Sequence, residues 1–516
     1  MSFGRAPRGA LLTRSRLSLL ETLSVSPPPP SPDPAPSPAG AETGAALASR
    51  PGPSGAPAQE QLVQDPRYDL LNGPVGPTLT RMAIPTAFGI GAVILFNVVD
   101  TVYVGHLGTR ELAAMSFTFP VVFAVMSLAM GMSVGVTAVI SRAIGEGDAR
   151  KVARLTTHGL ILAVLLVVLV SCFGLLSIEP LFSALGAEPE LLPLIRAYML
   201  PWYLGVGLLV VPMVGNGAIR ATGDTMTPSL VMLLAGGVNV VLDPLLIFGV
   251  GPFPRMELAG AAWATVISWL VTLVAALWIL SRREKMLRAR YFTPTDMADS
   301  AKSILAIGLP AAATNLLVPM AAAVLTRIAS SFGHSAVAAY GVATRVESLS
   351  MIGVMALASS ATPFAGQNLG ARRPARILKA LSFGVRACSA WGLGVALLLG
   401  LLAPTIASWF SAESEVVRSA AWYLRLVPIS YAAFGVSVFS VSLFNGMNRP
   451  LSAGLVIVVR LFILAVPLAI AGAHFYGLHG MFFGVTLANF AVGGFALSLI
   501  RGYLKGFSVG MNEAAP

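Results

Sequence analysis

Long apolar runs separated by short polar or charged stretches dominate the chain from about residue 79 onward. Division at the charged and Gly/Pro-rich stretches leaves twelve apolar segments, each near the ~20 residues that an α-helix needs to cross a bilayer. Their approximate limits are 79–104, 115–140, 155–178, 193–217, 226–250, 258–280, 303–330, 337–364, 376–403, 418–445, 452–472 and 478–502. The pattern predicts an all-α membrane protein with twelve transmembrane helices.

Composition supports a bilayer as the surroundings of these helices. Of the 516 residues 56% are hydrophobic and 11% are charged, far more apolar than a soluble protein of this length requires. The net charge of +11 does not indicate nucleic acid, because the basic residues lie in short loops and form no basic face. Cys172 and Cys388 lie inside apolar runs, so no disulfide framework is indicated.

Residues 1–66 differ from the rest of the chain. The first twenty residues include four arginines and no acid. The segment SPPPPSPDPAPSPAG follows. Such a Pro/Ser/Ala-rich segment cannot bury a core and is expected to be disordered. Three interpretations stay open: an organelle transit peptide, an unstructured cytosolic extension, or a start codon assigned too early.

Charged residues in the loops predict the orientation. The loops after spans 2, 6 and 8 are basic, whereas those after spans 3, 5 and 9 carry mostly acids. The positive-inside rule therefore places the basic loops in the cytoplasm, and both termini lie on the same side. The basic residues are Arg142, Arg150, Lys151, Arg154, Arg282, Arg283, Lys285, Arg288, Arg290, Arg372, Arg373, Arg376 and Lys379. We expect the cell inner (plasma) membrane, or a plastid envelope membrane if residues 1–66 are a transit peptide.

The chain repeats itself at an offset of about 223 residues. LGTRELAAM at 107–115 matches FGHSAVAAY at 332–340, and the GDTMTP and GMNRP turns end at Pro228 and Pro450. Six helices duplicated in one orientation predict two lobes around a central cavity, as in many secondary transporters. The predicted parts are an N-lobe at 67–281, a cytoplasmic linker at 282–302, a C-lobe at 303–506 and a cytoplasmic tail at 507–516.

Two aspartates inside predicted spans are the candidate site. Asp100 and Asp243 lie about 21 and 17 residues into spans 1 and 5, at comparable depth in the outer half. An aspartate near the centre of a span costs roughly 2.5 to 3.5 kcal/mol on insertion, so its presence suggests a function. Asn239 lies one turn from Asp243 on the same helix face, and Pro244 leaves a carbonyl one turn back without its amide partner.

The second half of the repeat lacks these acids. At an offset of 223, Asp243 falls on Val466, Asn239 on Phe462, and Asp100 on Leu325 or its neighbour. Helix packing therefore does not require the carboxylates. Two carboxylates facing each other in a partly dry cavity cannot both ionise cheaply, so the pair is expected to hold a proton near neutral pH and to exchange H+ for Na+ or a cationic substrate. The alternative is that each acid only satisfies neighbouring polar groups.

Several motifs together resemble the multidrug and toxic compound extrusion (MATE) family of transporters, and most closely its DinF-like branch. They are DPRYDLLNGPV at 65–75, Pro85 with Asp100 fifteen residues later, AIRATGDTMTP at 218–228, NVVLDPLLIFG at 239–249, GAAWATVIS at 260–268 and AGQNLGA at 365–371. The resemblance covers roughly residues 66–506.

The resemblance implies a two-lobe, twelve-helix fold that expels amphipathic, often cationic compounds in exchange for Na+ or H+. It implies a cation site at Asp100, Asn239, Asp243 and Thr265, with Pro85 at the bend of the first helix. Phe96 replaces a tyrosine found one turn before the first aspartate in some relatives. Spans 7 and 10 lack the acids of the NorM-like branch, which favours coupling through the N-lobe.

Other polar or adaptable residues inside the spans are candidates for a substrate cavity. Arg345 and Glu347 in span 8 are expected to form a buried pair that braces the second lobe, or to line the cavity wall. Arg460 in span 11 could bind an anionic group of a substrate, or extend to the interface or pair locally. The remaining cavity candidates are Phe96, Asn97 and Met115.

These observations predict a secondary active antiporter that exports amphipathic, cationic organic compounds or drugs by rocking two lobes. The nearest alternative is a flippase for a lipid-linked precursor. A membrane-embedded transferase has less support, because no nucleophile and base pair is visible. We expect a monomer that needs no cofactor and no resident metal, since the five histidines are scattered and the acids suit only a monovalent ion.

Overall fold

The computed structural model describes residues 69–107, 109–287 and 294–513. The predicted tail at 1–66, part of the predicted linker and residues 514–516 lie outside this range. Residues 59–516 form one compact unit that contains every described residue. Regular structure in the described residues is helical throughout.

Six α-helices make up the first half of the described chain. They are α1 (Val75–Gly105), α2 (Thr109–Gly145), α3 (Ala149–Ala184), α4 (Leu192–Thr222), α5 (Met226–Phe248) and α6 (Glu257–Trp278), which a π-helical turn continues over Ile279–Arg283. Local sequence determines several ends. The Asp148 carboxylate accepts a hydrogen bond from the Lys151 backbone N–H at 2.8 Å and caps α3, and α4 and α5 end at Gly223 and Gly249 in the left-handed conformation.

The second half contains eight helical pieces. They are α7 (Pro294–Ser330), α8 (His334–Ser350), α9 (Ile352–Gly370), α10 (Pro374–Ser408), α11 (Ser414–Leu426), α12 (Tyr431–Gly446), α13 (Pro450–Val458) and α14 (Val466–Glu513). A 3₁₀ turn at Val427–Ser430 joins α11 to α12, and a π-helical turn at Val459–Ala465 joins α13 to α14. Because α7 begins at Pro294, the linker is shorter than the predicted 282–302.

Twelve apolar passes result from these pieces within the described residues. Helices α8 and α9 form one pass bent by 47°. The helical stretch Pro450–Gly506 is 57 residues long and is interrupted at Tyr476 and Gly477, whose backbone is not helical, so it makes two passes. The predicted all-α membrane architecture is confirmed: ten helices of the described chain are long and apolar enough to cross a membrane, or eleven with the bent pair, and division of the longest one at Tyr476 and Gly477 gives the predicted twelve.

Two large hydrophobic cores correspond to the two halves of the chain. One core is built from residues between Val104 and Ile304, and the other from residues between Leu325 and Leu504. The beginning of α1 is an exception, since Leu70, Leu79 and Met82 pack into the second core. The first helix therefore links the two halves.

Equivalent hydrogen bonds show the repeat directly. The Thr137 hydroxyl donates to the Gly217 carbonyl at 2.9 Å, and the Thr362 hydroxyl donates to the Ser442 carbonyl at 3.0 Å. Both residues of the second pair lie 225 positions after those of the first. At this offset Asp243 corresponds to Leu468, where the sequence comparison indicated Val466. The matched residue is apolar in either register.

The two halves meet closely at the end of the bundle that carries the basic loops, which we call the basic end. A Cβ at Gly131 would collide with Gly308, and one at Gly145 would collide with Gln367, so glycines allow α2 to approach α7 and α9. Hydrogen bonds across the halves cluster here: Gln367 to the Ala221 carbonyl at 2.7 Å, Asn368 to the Leu70 carbonyl at 3.0 Å and Arg376 to the Gly73 carbonyl at 2.6 Å. The structure is thus closed at the basic end.

Candidate cation-coupling site

Two carboxylates lie at matching depth in adjacent helices of the first half. Asp100 is five residues before the end of α1, and Asp243 is five residues before the end of α5. With a rise of about 1.5 Å per residue, each is about 7.5 Å from its helix end. Asp243 is fully buried and Asp100 is partly buried, and their charges are close enough to interact.

Asn239 and Thr265 complete a polar cluster around Asp243. The Asn239 amide donates to the Asp243 carboxylate at 3.2 Å and contacts the Thr265 hydroxyl at 3.4 Å. Thr265, on α6, donates its own hydroxyl proton to the Ala261 carbonyl at 2.9 Å. Its oxygen can therefore accept from Asn239, and the amide is held facing the acid. The structure brings all four predicted residues to the same region where α1, α5 and α6 meet.

One oxygen of each carboxylate has no hydrogen-bond partner. Asp100 Oδ1 and Asp243 Oδ2 are both buried and unpaired within the described residues. A buried carboxylate oxygen without a donor is costly unless a proton or a cation compensates it. Carboxylate, amide and hydroxyl oxygens are the donors that hard cations prefer. This arrangement can hold a proton or a monovalent cation.

The distance between α1 and α5 depends on a glycine. The ring of Phe96 lies where a Cβ on Gly236 would be, so a side chain at that position would push the helices apart. Phe96 is one turn before Asp100, and Gly236 is one turn before Asn239. Phe96 is therefore a packing residue that brings the two acids together. Phe96, which replaces a tyrosine found in some relatives, therefore lies at this contact between α1 and α5.

The two predicted bend prolines lie inside continuous helices. Helix α1 runs through Pro85, and α5 runs through Pro244. Neither residue has a backbone N–H, so the helical hydrogen bond that each would donate to the carbonyl four residues earlier is absent. A bend at Pro85 during transport stays a prediction.

Tyr198 is a member of the site that sequence reasoning missed. This side chain of α4 is 8% exposed and lies within electrostatic reach of both Asp100 and Asp243. A phenol can donate to a carboxylate and accept from a bound water or proton carrier. Its signal in the sequence is weak, because Tyr198 lies close to Arg196 and Tyr203, two other polar residues of span 4. Its proximity to the acids depends on helix packing.

Three of the candidate cavity residues make other contacts or are exposed, and their role in a substrate cavity stays a prediction. Asn97 donates to the Val93 carbonyl of its own helix at 2.8 Å, and Met115 packs against the first hydrophobic core. Arg345 is exposed, and the expected pair of Arg345 with Glu347 is not formed. The reason is positional: these two residues are two apart on α8 and point to different sides of the helix.

A separate polar cluster occupies the second half. Glu347 accepts a short hydrogen bond from the buried Tyr423 hydroxyl, and the charge of Arg460 acts on the same carboxylate. The Arg460 guanidinium lies over the Phe434 ring, 4.0 Å from its centroid, on the π-helical turn at Val459–Ala465. Irregular turns of this kind are frequent at functional sites. Arg460 is thus held inside the membrane region as a cation on an aromatic ring.

Two duplicated six-helix units, with unpaired buried carboxylate oxygens at Asp100 and Asp243 in the first of them, are typical of secondary transporters. The MatE family model matches the chain twice, over residues 85–245 and 310–471, and the chain therefore belongs to the MATE family of multi-pass membrane transporters. The starts of the two matches are 225 residues apart, the same offset as the repeated hydrogen bond. Members of this family are transporters and not enzymes.

Related proteins align with this chain over most of its length. A protein of Shewanella oneidensis named "FAD transporter" is 40% identical over 427 residues, which covers 83% of this chain and 94% of that protein. A "probable multidrug resistance protein NorM" of Deinococcus radiodurans is 29% identical over 441 residues, with 83% and 94% covered. The crystal structure of the Vibrio cholerae MATE transporter VcmN in the bent form superposes with a TM-score of 0.81 at 28% identity, covering 84% of this chain and 98% of that one.

Proposed function

We propose that this chain is a cation-coupled antiporter that exports amphipathic organic molecules in exchange for H+ or Na+. The observation that carries the proposal is the pair of buried, unpaired oxygens on Asp100 and Asp243. Their counterparts at the 225-residue offset, Leu325 and Leu468, are apolar. The scaffold therefore does not need these acids, and their cost is explained by ion binding.

Coupling follows from the location of the acids between α1 and α5. Without a proton or cation, two carboxylates share a region that supplies one donor, Asn239, to one of their oxygens. Binding of H+ or Na+ removes this uncompensated charge and favours the helix packing in which the two acids lie together. A ligand that prefers one of two packings shifts the population between them. Because α1 also packs into the second core through Leu79 and Met82, such a shift reaches both halves.

Orientation follows from the charge of the loops. The basic end is the cytoplasmic end by the positive-inside rule, which places both termini inside and the acids in the outer part of the plasma membrane. The closed basic end then corresponds to a state that faces outward, ready to release substrate and to take up the coupling ion.

Two classes of substrate are considered. The first is an amphipathic organic cation, which would exchange with H+ or Na+ at the carboxylates. The second is a flavin dinucleotide, for which the relative named "FAD transporter" and the half-buried Arg460 both argue. A guanidinium pairs well with a diphosphate, because its fork of N–H donors matches the phosphate oxygens.

Transport in proteoliposomes tests the proposal. We expect uptake or efflux of an ethidium-like cation or of FAD to require an imposed pH or Na+ gradient and to stop when the gradient is collapsed. Parallel assays with the two substrates assign the class, and parallel gradients assign the ion. Equal transport with and without any gradient would refute antiport.

A further inference from the structure

A basic cavity lies between the two halves at the basic end, away from the cation-coupling site. It has a volume of about 600 Å³. The first half contributes Arg142 and Glu146, and the second half contributes Leu369, Gly370, Arg372, Met447, Asn448, Arg449 and Tyr503. Three guanidinium groups face one carboxylate, so the cavity carries a net positive charge.

The single carboxylate is already engaged. Glu146 accepts from Arg142 at 3.0 Å and from Lys151, outside the cavity, at 2.6 Å. Arg449 donates to the Tyr503 hydroxyl at 3.0 Å, and its guanidinium lies 4.8 Å from the centre of that ring. The structure pairs neither Arg372 nor Arg449 with a carboxylate among the described residues. Two positive charges in the cavity wall are therefore available to pair with an anion that enters the cavity.

The two turns that carry these arginines have an unusual backbone. Arg372 and Asn448 have φ values of 55° and 59°, a left-handed conformation that side chains other than glycine rarely adopt. The equivalent turn between α2 and α3 has Gly147 with a φ of 76° at this place, followed by Asp148 where the second half has Arg373. The second half thus keeps the turn but exchanges glycine and aspartate for two arginines. Strain of this kind persists where the surroundings or a function require the side chain.

The cavity exists because the halves are closed. Gly370 packs so tightly against the Arg142 carbonyl that it has no room for a side chain, and this contact forms the floor between Arg142 and Arg372. If the halves separate at this end, Arg142 and Glu146 move away from Arg372 and Arg449. An anion bound between them therefore favours the closed state by its differential affinity.

We propose that this cavity binds a phosphate-bearing anion, either the headgroup of an anionic phospholipid or a soluble phosphate, and that the bound anion holds the basic end closed. Arginine forks match phosphate oxygens in geometry and charge. Basic pockets between transmembrane helices on the cytoplasmic side commonly hold anionic headgroups. The proposal does not depend on the coupling acids or on the identity of the transported substrate.

A cysteine-labelling experiment tests this site in the full chain reconstituted in nanodiscs. Ser141 is fully buried beneath Gly366 where the halves meet, so Ser141→Cys in a Cys172→Ala background reports opening of the basic end to a water-soluble maleimide. Three conditions are compared: phosphatidylcholine alone, phosphatidylcholine with phosphatidylglycerol, and phosphatidylcholine with inorganic phosphate, at equal ionic strength set by chloride. We expect labelling to slow by about tenfold when the anion is at about ten times its Kd.

Variants then assign the effect to the cavity. Arg372→Gln, alone and combined with Arg449→Gln, should abolish the slowing, whereas Arg150→Gln, an exposed arginine of the same end outside the cavity, should retain it. Arg372 is exposed and has no ion pair in the structure, so the single variant is expected to fold, and its elution as one species in size-exclusion chromatography checks this. Slowing by phosphatidylglycerol alone identifies the headgroup, and slowing by phosphate alone identifies a soluble ligand. An unchanged labelling rate in both conditions, or full slowing in Arg372→Gln, would overturn the proposal.

Discussion

The ring of Phe96 lies against the backbone of Gly236, at a tight contact between α1 and α5 in the acid-bearing part of the first half. This contact places Asp100 and Asp243 on facing helices at one depth. A glycine and a phenylalanine without any polar function therefore determine how near the two carboxylates are.

Replacing Gly236 by alanine should separate these helices. The new methyl group would overlap the Phe96 ring, and overpacking of this kind typically costs about 1–3 kcal/mol. We expect Gly236→Ala to lower the thermal unfolding midpoint and to reduce gradient-driven transport.

Gly237 offers a matched control for that variant. A Cβ there meets nothing within 4 Å, so Gly237→Ala should be neutral or slightly stabilising. Combining Gly236→Ala with Phe96→Ala should recover part of the lost transport. If both alanine variants behaved alike, the helix contact would not control the site.

Removal of the Asn239 side chain should weaken ion binding. Asn239→Ala deprives Asp243 of its donor, and a hydrogen bond to a charged group contributes about 1.5–3 kcal/mol, or roughly 10- to 100-fold in affinity. We expect the Na+ or H+ concentration that gives half-maximal transport to change by that order. Asn97→Ala is the matched control, because Asn97 donates to its own helix backbone. An equal effect of both variants would argue against a specific role of Asn239.

Much of this architecture follows from the sequence because it depends on local rules. Segment length and loop charge predicted the passes, and the repeat singled out Asp100 and Asp243 as acids without counterparts. The Tyr198 contribution and the Phe96–Gly236 contact were not predicted, since both depend on which helices pack together. The break at Tyr476 and Gly477 was expected only as a loop between spans.

The bond between Tyr423 and Glu347 should stabilise the second half. Tyr423→Phe removes the hydroxyl that donates to the Glu347 carboxylate inside the membrane region, and we expect unfolding to become easier by about 1.5–3 kcal/mol. The double variant with Glu347→Gln should lose less than the sum of the single effects, because the residues interact. Tyr476→Phe, at an exposed tyrosine, is the control in the same thermal unfolding assay. Additive single and double effects would show that the bond contributes little.

Acid pH should destabilise the basic end through Glu146. Burial alone would raise the pKa of Glu146, but the hydrogen bonds and charges of Lys151 and Arg142 outweigh it and hold this pKa below its ordinary value of 4.5. Because the folded pKa is lower than the unfolded one, the stabilisation is complete above about pH 4.5 and is lost as the pH falls through the folded value.

The corresponding measurement is the thermal unfolding midpoint against pH. Between neutral pH and about pH 3.5, wild type should lose more stability than Glu146→Gln, which has no carboxylate to protonate. Glu188→Gln, at an exposed acid of the opposite end, should follow wild type. A Glu146→Gln curve parallel to wild type over this range would mean that the ion pairs do not contribute.

Gradient-driven transport by Asp243→Asn in proteoliposomes tests the central claim most directly. Asparagine keeps the size of the side chain and can still form a hydrogen bond with Asn239, but it cannot take up a proton or balance the charge of a cation. We predict that Asp243→Asn abolishes transport driven by an imposed pH or Na+ gradient while the protein still folds and elutes as wild type, and that Leu468→Asn, at the equivalent place in the other half, retains gradient dependence. Transport by Asp243→Asn that remains as fast and as gradient-dependent as in wild type would contradict coupling through this site.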